Sequence, residues 1–524
     1  MLADFREVES GGTLEADMCV IGAGAAGITI ASELTNGRQS VIVLESGGLQ
    51  LEPEVQDLYE GTNVHGYFSL ATSRFRLFGG TTYAWGGWCA PLDDIDFQPR
   101  DWVPHSGWPI RKSDLLPYYR RAQRYCELGP YRYEISEWPS VAEHARALDP
   151  TKLEHRMWQL SPPTRFGRVY AGAMRRAANV TLMLHATAVE LVTDDSATSV
   201  RGVRVADLHG REATVRARIY VLACGGIETT RLLLASNRVE SAGIGNRFDV
   251  LGRYFMEHPH PDAGGVLLSG DPQALRAYQH TEVGNERIVV GFGPSAQAQA
   301  RLRILNSSIA LGDASHTEPS EAWGSLRKLS RALSERRWPE SAGIHVINVL
   351  RDLDDVLHEA YLRSTDGEVR GFYLTARTEV APDPRNRITL DHARDALGMN
   401  RVRLDWRVMP LDRVSVATTM RLLAEELGRL GVGRVQVTPL LFEEDGRWSQ
   451  NLSWFGHHMG TTRMSSDPRS GVVDADCRVH GIDNLYVASA SVFPTAGFAN
   501  PTLTILALAV RLADYVKHRM QNQS

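Results

Sequence analysis

The distribution of apolar positions divides the chain into two unlike parts. Met18-Cys19-Val20-Ile21 is a short apolar run of the length a strand buried on both faces needs. It leads straight into Gly22-Ala23-Gly24-Ala25-Ala26-Gly27, after which residues 28–34 take helical spacing. Gly37 closes that helix, and Val41-Ile42-Val43-Leu44-Glu45 is a second apolar run with an acidic end. Strand, Gly-rich turn, helix and strand in this order predict a βαβ unit with parallel strands. Residues 179–192 and 213–224 also read as strands, the second running into Gly225-Gly226 and a helix over 227–237. Between about 265 and 450 the pattern changes to apolar runs and alternating stretches. Residues 287–292, 344–350, 387–390 and 402–406 there predict a mostly antiparallel sheet. An amphipathic helix over 504–517 closes the chain. The fold class is therefore α/β, a Rossmann-like domain joined to an α+β domain.

Two segments stand apart. Phe78-Gly79-Gly80-Thr81-Thr82-Tyr83-Ala84-Trp85-Gly86-Gly87-Trp88 has neither period and predicts a close-packed loop. Over 321–340, Trp323, Leu326, Leu329 and Leu333 share one helical face, while Arg327, Lys328, Arg331, Arg336 and Arg337 cover the other. Such a helix suits a solvated surface with an inward stripe, or a lid or membrane contact.

Composition narrows the function. The 524 residues are 43% hydrophobic and 23% charged, ordinary globular values with chain enough for a large core. A formal net charge of −5 gives no reason to expect a nucleic-acid or membrane-surface partner. Cys19, Cys89, Cys126, Cys224 and Cys477 are odd in number and lack CxxC spacing, which argues against a disulfide framework or zinc site. Residues 1–9 lack the basic and apolar regions of a secretory signal, and no stretch has the length and apolarity of a membrane span. A cytoplasmic protein is expected; oligomeric state is not readable.

The motif Gly22-x-Gly24-x-x-Gly27 gains its meaning from its context. The first glycine permits the tight turn, the second lets a pyrophosphate approach the backbone, and the third lets helix and strand pack. The helix N-terminus faces the phosphates. Glu45, 18 residues after Gly27, can accept hydrogen bonds from ribose hydroxyls. This much does not separate FAD from NAD.

The segment 450–512 does. His457-His458-Met459-Gly460-Thr461-Thr462-Arg463-Met464 is followed by Gly471-Val472-Val473-Asp474 and Arg478-Val479-His480-Gly481. Residues 484–495 and Asn500-Pro501-Thr502-Leu503-Thr504 complete the run. It resembles the C-terminal signature of the glucose–methanol–choline (GMC) oxidoreductases. Gly79-Gly80-Thr81-Thr82, Trp85-Gly86-Gly87 and Gly252-Arg253-Tyr254-Phe255-Met256-Glu257-His258-Pro259 match as well. The resemblance spans nearly the whole chain and is greatest to bacterial pyranose oxidases and glycoside 3-oxidases.

What the resemblance implies is a GMC-type, Rossmann-like FAD-binding domain of residues 1–97, 165–260 and 450–524. A discontinuous substrate domain of residues 98–164 and 261–449 would lie over the isoalloxazine. The active-site pair falls on His457 and Asn500. Cofactor contacts fall on Gly22, Gly24, Ala25, Gly27, Glu45, Ser46, Gly79, Gly80, Thr81, Thr82, Trp85, Gly86, Gly87, Val189, Ala223, Ser491, Pro501 and Thr502. Val189 stands where the family lays a backbone amide and carbonyl against adenine. Where some pyranose oxidases attach FAD through a His, this chain has Ala84, so FAD is expected to be non-covalent. Ser489 replaces a common Asp.

The chemistry fits these residue types. Oxidising an alcohol removes a hydroxyl proton while a hydride leaves the same carbon for flavin N5. A His suits the proton step, and Asn can hold the hydroxyl oxygen without taking charge. His458 is the rival to His457, but adjacent residues on an extended segment point opposite ways. His258 and His260 flank Pro259 with either a structural or a substrate role. Arg463 neutralises a carboxylate or holds its loop, and Trp454 and Phe455 wall the site or join the core. The expected reaction is oxidation of a secondary hydroxyl, C2 or C3, of a pyranose sugar or glycoside, with reoxidation by O2 or another acceptor. Alternatives are a choline- or aryl-alcohol-type oxidase or dehydrogenase, a hydroxynitrile lyase on the same fold, and a non-catalytic flavin binder.

Overall fold

The computed structural model describes residues 1–313, 371–443, 447–450 and 452–522, with positions 325, 326, 329, 330 and 349 besides. Apart from those positions, the amphipathic helix expected over 321–340 and the strand expected over 344–350 lie outside the described residues.

The first sheet has eight strands. In spatial order Leu2–Asp4, Val180–Leu184, Val41–Leu44, Thr13–Ile21 and Glu212–Leu222 are all parallel to their neighbours. Val200–Ala206 and Thr187–Thr193 continue it as antiparallel strands, and Leu485–Val487 pairs in parallel with Glu212–Leu222. Val41–Leu44 is bonded on both edges and buried at all four positions, which is why it reads as an unbroken apolar run. The helix Ala25–Glu33 and the long helix Thr502–Asn522 pack together beside the sheet. The stretch 179–192 is two strands rather than one. His185 takes a left-handed φ of 54° between them, with its ring nitrogens on Asp4 and Glu52.

The second sheet has nine strands, and every recorded pairing in it is antiparallel. Its central order is Gly433–Val437, His260–Leu268, Gly371–Thr378, Ser307–Asp313, Glu286–Pro294, Leu153–Leu160 and Trp88–Cys89. Phe372, Leu374 and Ala376 join a separate core with Ile309, Leu311 and Met420, the last from the helix Pro410–Arg429. Alternation then turns Tyr373, Thr375 and Arg377 to the opposite face.

The strands expected over 387–390 and 402–406 do not join this sheet. Arg387–Arg394 pairs with Asn400–Asp405, which pairs in turn with Gly61–Asn63, in a third, three-stranded sheet. Ile388, Leu404 and Trp406 bury themselves with Ile227 and Phe255, against the helix Gly225–Ala235. Their apolar residues thus find a partner beside the first sheet.

Candidate active site

A cavity of about 1260 Å³ opens between the Gly-rich turn and the nine-stranded sheet. It exceeds the few hundred to a thousand Å³ usual for one small ligand. Gly22 turns the chain at a φ of 102°, and a Cβ on Gly27 would stand 2.0 Å from the Gly22 carbonyl oxygen. Strand and helix therefore meet at backbone distance. A Cβ on Gly24 would meet nothing nearer than Gly80 Cα at 4.0 Å, so that glycine presents an open backbone cradle to the cavity.

Glu45 sits at the end of its strand, its carboxylate taking the N–H of Ala23 (3.0 Å) and of Gly47 (2.9 Å). Burial raises its pKa, against the pull of these N–H groups. It braces the turn while remaining on the cavity wall. Ser46 Oγ accepts from Arg76 Nη1 at 2.8 Å. Arg76 and Arg74 both pair with Glu228, at 2.7 and 2.8 Å. Burial would raise Glu228, but Arg76, Arg231 and Arg74 hold it down at about 2. This ionic group lines the cavity and has no local sequence signature, because its members lie some 150 residues apart.

Most of the expected cofactor residues line the cavity: Gly22, Gly24, Ala25, Glu45, Ser46, Gly80, Thr81, Thr82, Trp85, Gly86, Gly87, Ala223, Pro501 and Thr502. Gly27, Gly79, Val189 and Ser491 lie behind its lining. Gly27 is the helix–strand contact, and Gly79 turns at a φ of 102° against Gly167. Val189 falls in the bulge between Ala188 and Glu190, while Thr187 and Ala188 line the wall. Ser491 is buried and accepts from Thr462 Oγ at 2.6 Å. Ser489, in place of the common Asp, accepts from the Ser491 N–H at 3.1 Å and also reaches the cavity.

At the far end His457 and Asn500 come together, with His457 Nε2 and Asn500 Nδ2 3.5 Å apart. The backbone N–H of His457 donates to Glu257 Oε1 at 2.8 Å. Its ring is held by His258, Nδ1 to Nδ1 at 3.0 Å, while His258 Nε2 lies 2.8 Å from the Gly497 carbonyl oxygen. That carbonyl can only accept, so His258 carries its proton on Nε2 and, when neutral, accepts through Nδ1. His457 must then donate from Nδ1, which leaves the Nε2 lone pair facing Asn500 and the cavity. Burial, followed by His258, Arg377 and His458, lowers His457 well below the ordinary imidazole value. Burial and Arg377 push His258 down to about 3, so both rings stay neutral and the tautomers hold.

His458 also borders the cavity, but its ring stacks on Phe68 at 5.5 Å between centroids. Its Nε2 lies 3.6 Å from the buried carboxyl of Glu257. Arg463 donates to the His105 carbonyl oxygen and covers the Tyr254 ring at 4.3 Å, holding its loop. Trp454 and Phe455 both line the cavity; Trp454 packs on Trp406 at 4.7 Å and Phe455 on His260 at 4.2 Å. Arg377, on the antiparallel wall, stands in no motif of the sequence. The alternation of its strand was the available signal.

A glycine cradle at a helix N-terminus, a carboxylate beyond the next strand and a base at the far end of one cavity define a dinucleotide-dependent oxidoreductase. The profile of FAD dependent oxidoreductases matches residues 17–339, and that of GMC oxidoreductases matches residues 382–509. The fructose dehydrogenase large subunit of Gluconobacter japonicus is 22% identical over 96% of this chain and 98% of its own length. The 6'''-hydroxyparomomycin C oxidase of Streptomyces lividus is 28% identical over 94% and 90%. Among solved structures, pyridoxine 4-oxidase from Mesorbium loti superposes with a TM-score of 0.58 at 16% identity, covering 96% of this chain and 99% of that one. The chain belongs to the FAD dependent oxidoreductases, and residues 382–509 are similar to the GMC oxidoreductases. No helix among the described residues is long and apolar enough to cross a membrane.

Proposed function

We propose that this enzyme oxidises a secondary hydroxyl, at C2 or C3, of a pyranose sugar or glycoside to a ketone, with FAD bound non-covalently. The observation that carries the reading is the Nε2 lone pair of His457, freed by the chain of hydrogen bonds through His258 to Gly497 and set beside Asn500. FAD, when bound, would supply the two-electron acceptor for the hydride, with O2 or another acceptor as the final oxidant. Gly22, Gly24 and the following helix N-terminus would hold its pyrophosphate, and Glu45 its ribose. His457 Nε2 takes the hydroxyl proton. Asn500 Nδ2, 3.5 Å from His457 Nε2, donates an N–H to the substrate oxygen and orients it. Ala84 on the cavity wall offers no nucleophile, which supports a non-covalent cofactor. Relatives named for fructose and for hydroxyparomomycin support a polyhydroxylated substrate. All five cysteines are free thiols, which supports a cytoplasmic setting.

The test is anaerobic mixing of the holoenzyme with monosaccharides and with O- and C-glycosides while the flavin's visible absorption is followed. Bleaching by a sugar supports the proposal, and product analysis assigns the carbon. A flavin that dithionite reduces and no sugar does would move non-sugar alcohols, or a lyase reaction, ahead. Acid precipitation that left flavin on the polypeptide would overturn the non-covalent assignment.

A further inference from the structure

The antiparallel wall of the cavity carries a cation that the proposed chemistry leaves without a role. Arg377 belongs to the face of Gly371–Thr378 that also bears Tyr373 and Thr375. Its neighbours in register on the next strand are small, with Ser308 opposite Arg377, Ala310 opposite Thr375 and Gly312 opposite Tyr373. Space is thus left in front of the guanidinium. Nε of Arg377 is 3.4 Å from His260 Nε2, and its two terminal nitrogens have no partner among the described residues. Trp88 and Trp158 flank it, with ring centroids 5.5 and 5.7 Å from Cζ. Asp262, on the adjoining strand opposite Thr375, lines the same cavity but makes no ion pair with it among the described residues; it accepts the Gly264 N–H instead. Each buried arginine described along the cavity, Arg74, Arg76 and Arg231, has a carboxylate partner.

A guanidinium with its fork open to a ligand cavity is suited to pair with an anionic group on the ligand. The ring of His260 separates it from the base, at 6.2 Å between the centroids of His260 and His457. We infer that the substrate carries a carboxylate, which the terminal nitrogens of Arg377 bind in bidentate fashion while the reacting hydroxyl faces His457. The preferred donor class is then a sugar acid or a glycoside with an acidic group, and a quaternary ammonium alcohol such as choline is repelled. Burial alone, pushing Arg377 down to about 10, leaves it charged at neutral pH. The inference rests on the oxidation proposed above and adds the charge of its substrate.

The experiment compares methyl β-D-glucuronide with methyl β-D-glucoside, two probes that differ at C6 alone. Anaerobic flavin reduction by the holoenzyme is followed at low and high salt. The inference expects kcat/KM to favour the glucuronide by tenfold or more at low salt, with the advantage shrinking as salt rises. Arg377→Met should lower the glucuronide-to-glucoside ratio at least tenfold, and Arg377→Lys should keep part of it. A preference for the glucoside in the parent enzyme, or equal losses for both in Arg377→Met, would overturn it. If neither glycoside reduces the flavin, the sugar reading fails separately. Titration with glucuronate then decides the anion site: a flavin absorption shift that Arg377→Met abolishes supports it, and no shift in the parent enzyme refutes it.

Discussion

Replacing His258 by leucine should slow substrate oxidation through a residue that never touches the substrate. His258 accepts from His457 Nδ1 at 3.0 Å and donates to the Gly497 carbonyl oxygen at 2.8 Å, and it is fully buried. Leucine fills the space but leaves the Nδ1–H of His457 without an acceptor. A buried donor stranded in this way costs about 1–3 kcal/mol. That cost falls only on the tautomer with a free Nε2, the one able to take the hydroxyl proton. At about 1.4 kcal/mol per factor of ten, the rate of flavin reduction by substrate should fall roughly 5- to 150-fold. Stopped-flow anaerobic reduction measures it, with flavin content and the rate of dithionite reduction as controls. His258→Asn offers an amide oxygen in place of Nδ1 and should recover much of the loss. A correctly folded, flavin-loaded His258→Leu enzyme that reduced at the parent rate would refute the tautomer argument.

Three further expectations follow from the geometry. Gly27→Ala drives a Cβ to within 2.0 Å of the Gly22 carbonyl oxygen, so the purified protein should carry far less flavin and melt earlier, read from its absorbance ratio and Tm. The acid limb of kcat/KM should lie below the ordinary imidazole pKa of about 6.5, because burial and then His258 and Arg377 favour the neutral His457; a limb above that value would contradict the site's electrostatics. Burial pushes Glu257 up to about 8 against the N–H donors around it, so the folded state binds a proton that the unfolded chain releases near pH 4.5. Its contribution to stability is complete below that pH and is lost as pH rises through about 8. Denaturant titrations across this window should show the decline, and Glu257→Gln should flatten it.

The sequence was most legible where one local rule sufficed. Val41–Leu44 is apolar because both edges and both faces are covered, and the glycine spacing is dictated by contacts within a single turn. His457 and Asn500 were legible through a long run of matching residues, and they do meet in space. What escaped depends on long-range pairing. His258 and His457 are 199 positions apart, and neither shows on its own that one fixes the other's proton. The strand Asn400–Asp405 pairs with three residues near position 62, a partner too short to announce itself. Arg377 lies on a strand whose alternation was available, but only the topology shows which face meets the cavity.

The tripeptide His258-Pro259-His260 bears on how such an enzyme changes over time. The residue before the proline holds the ring of His457, and the residue after it begins a strand of the cavity wall. Variation downstream of Pro259 can therefore try new donors while the proton-handling apparatus upstream is left alone. A lineage diversifying its diet of alcohols would be expected to place its substitutions on the wall strands and to hold the chain before that proline constant.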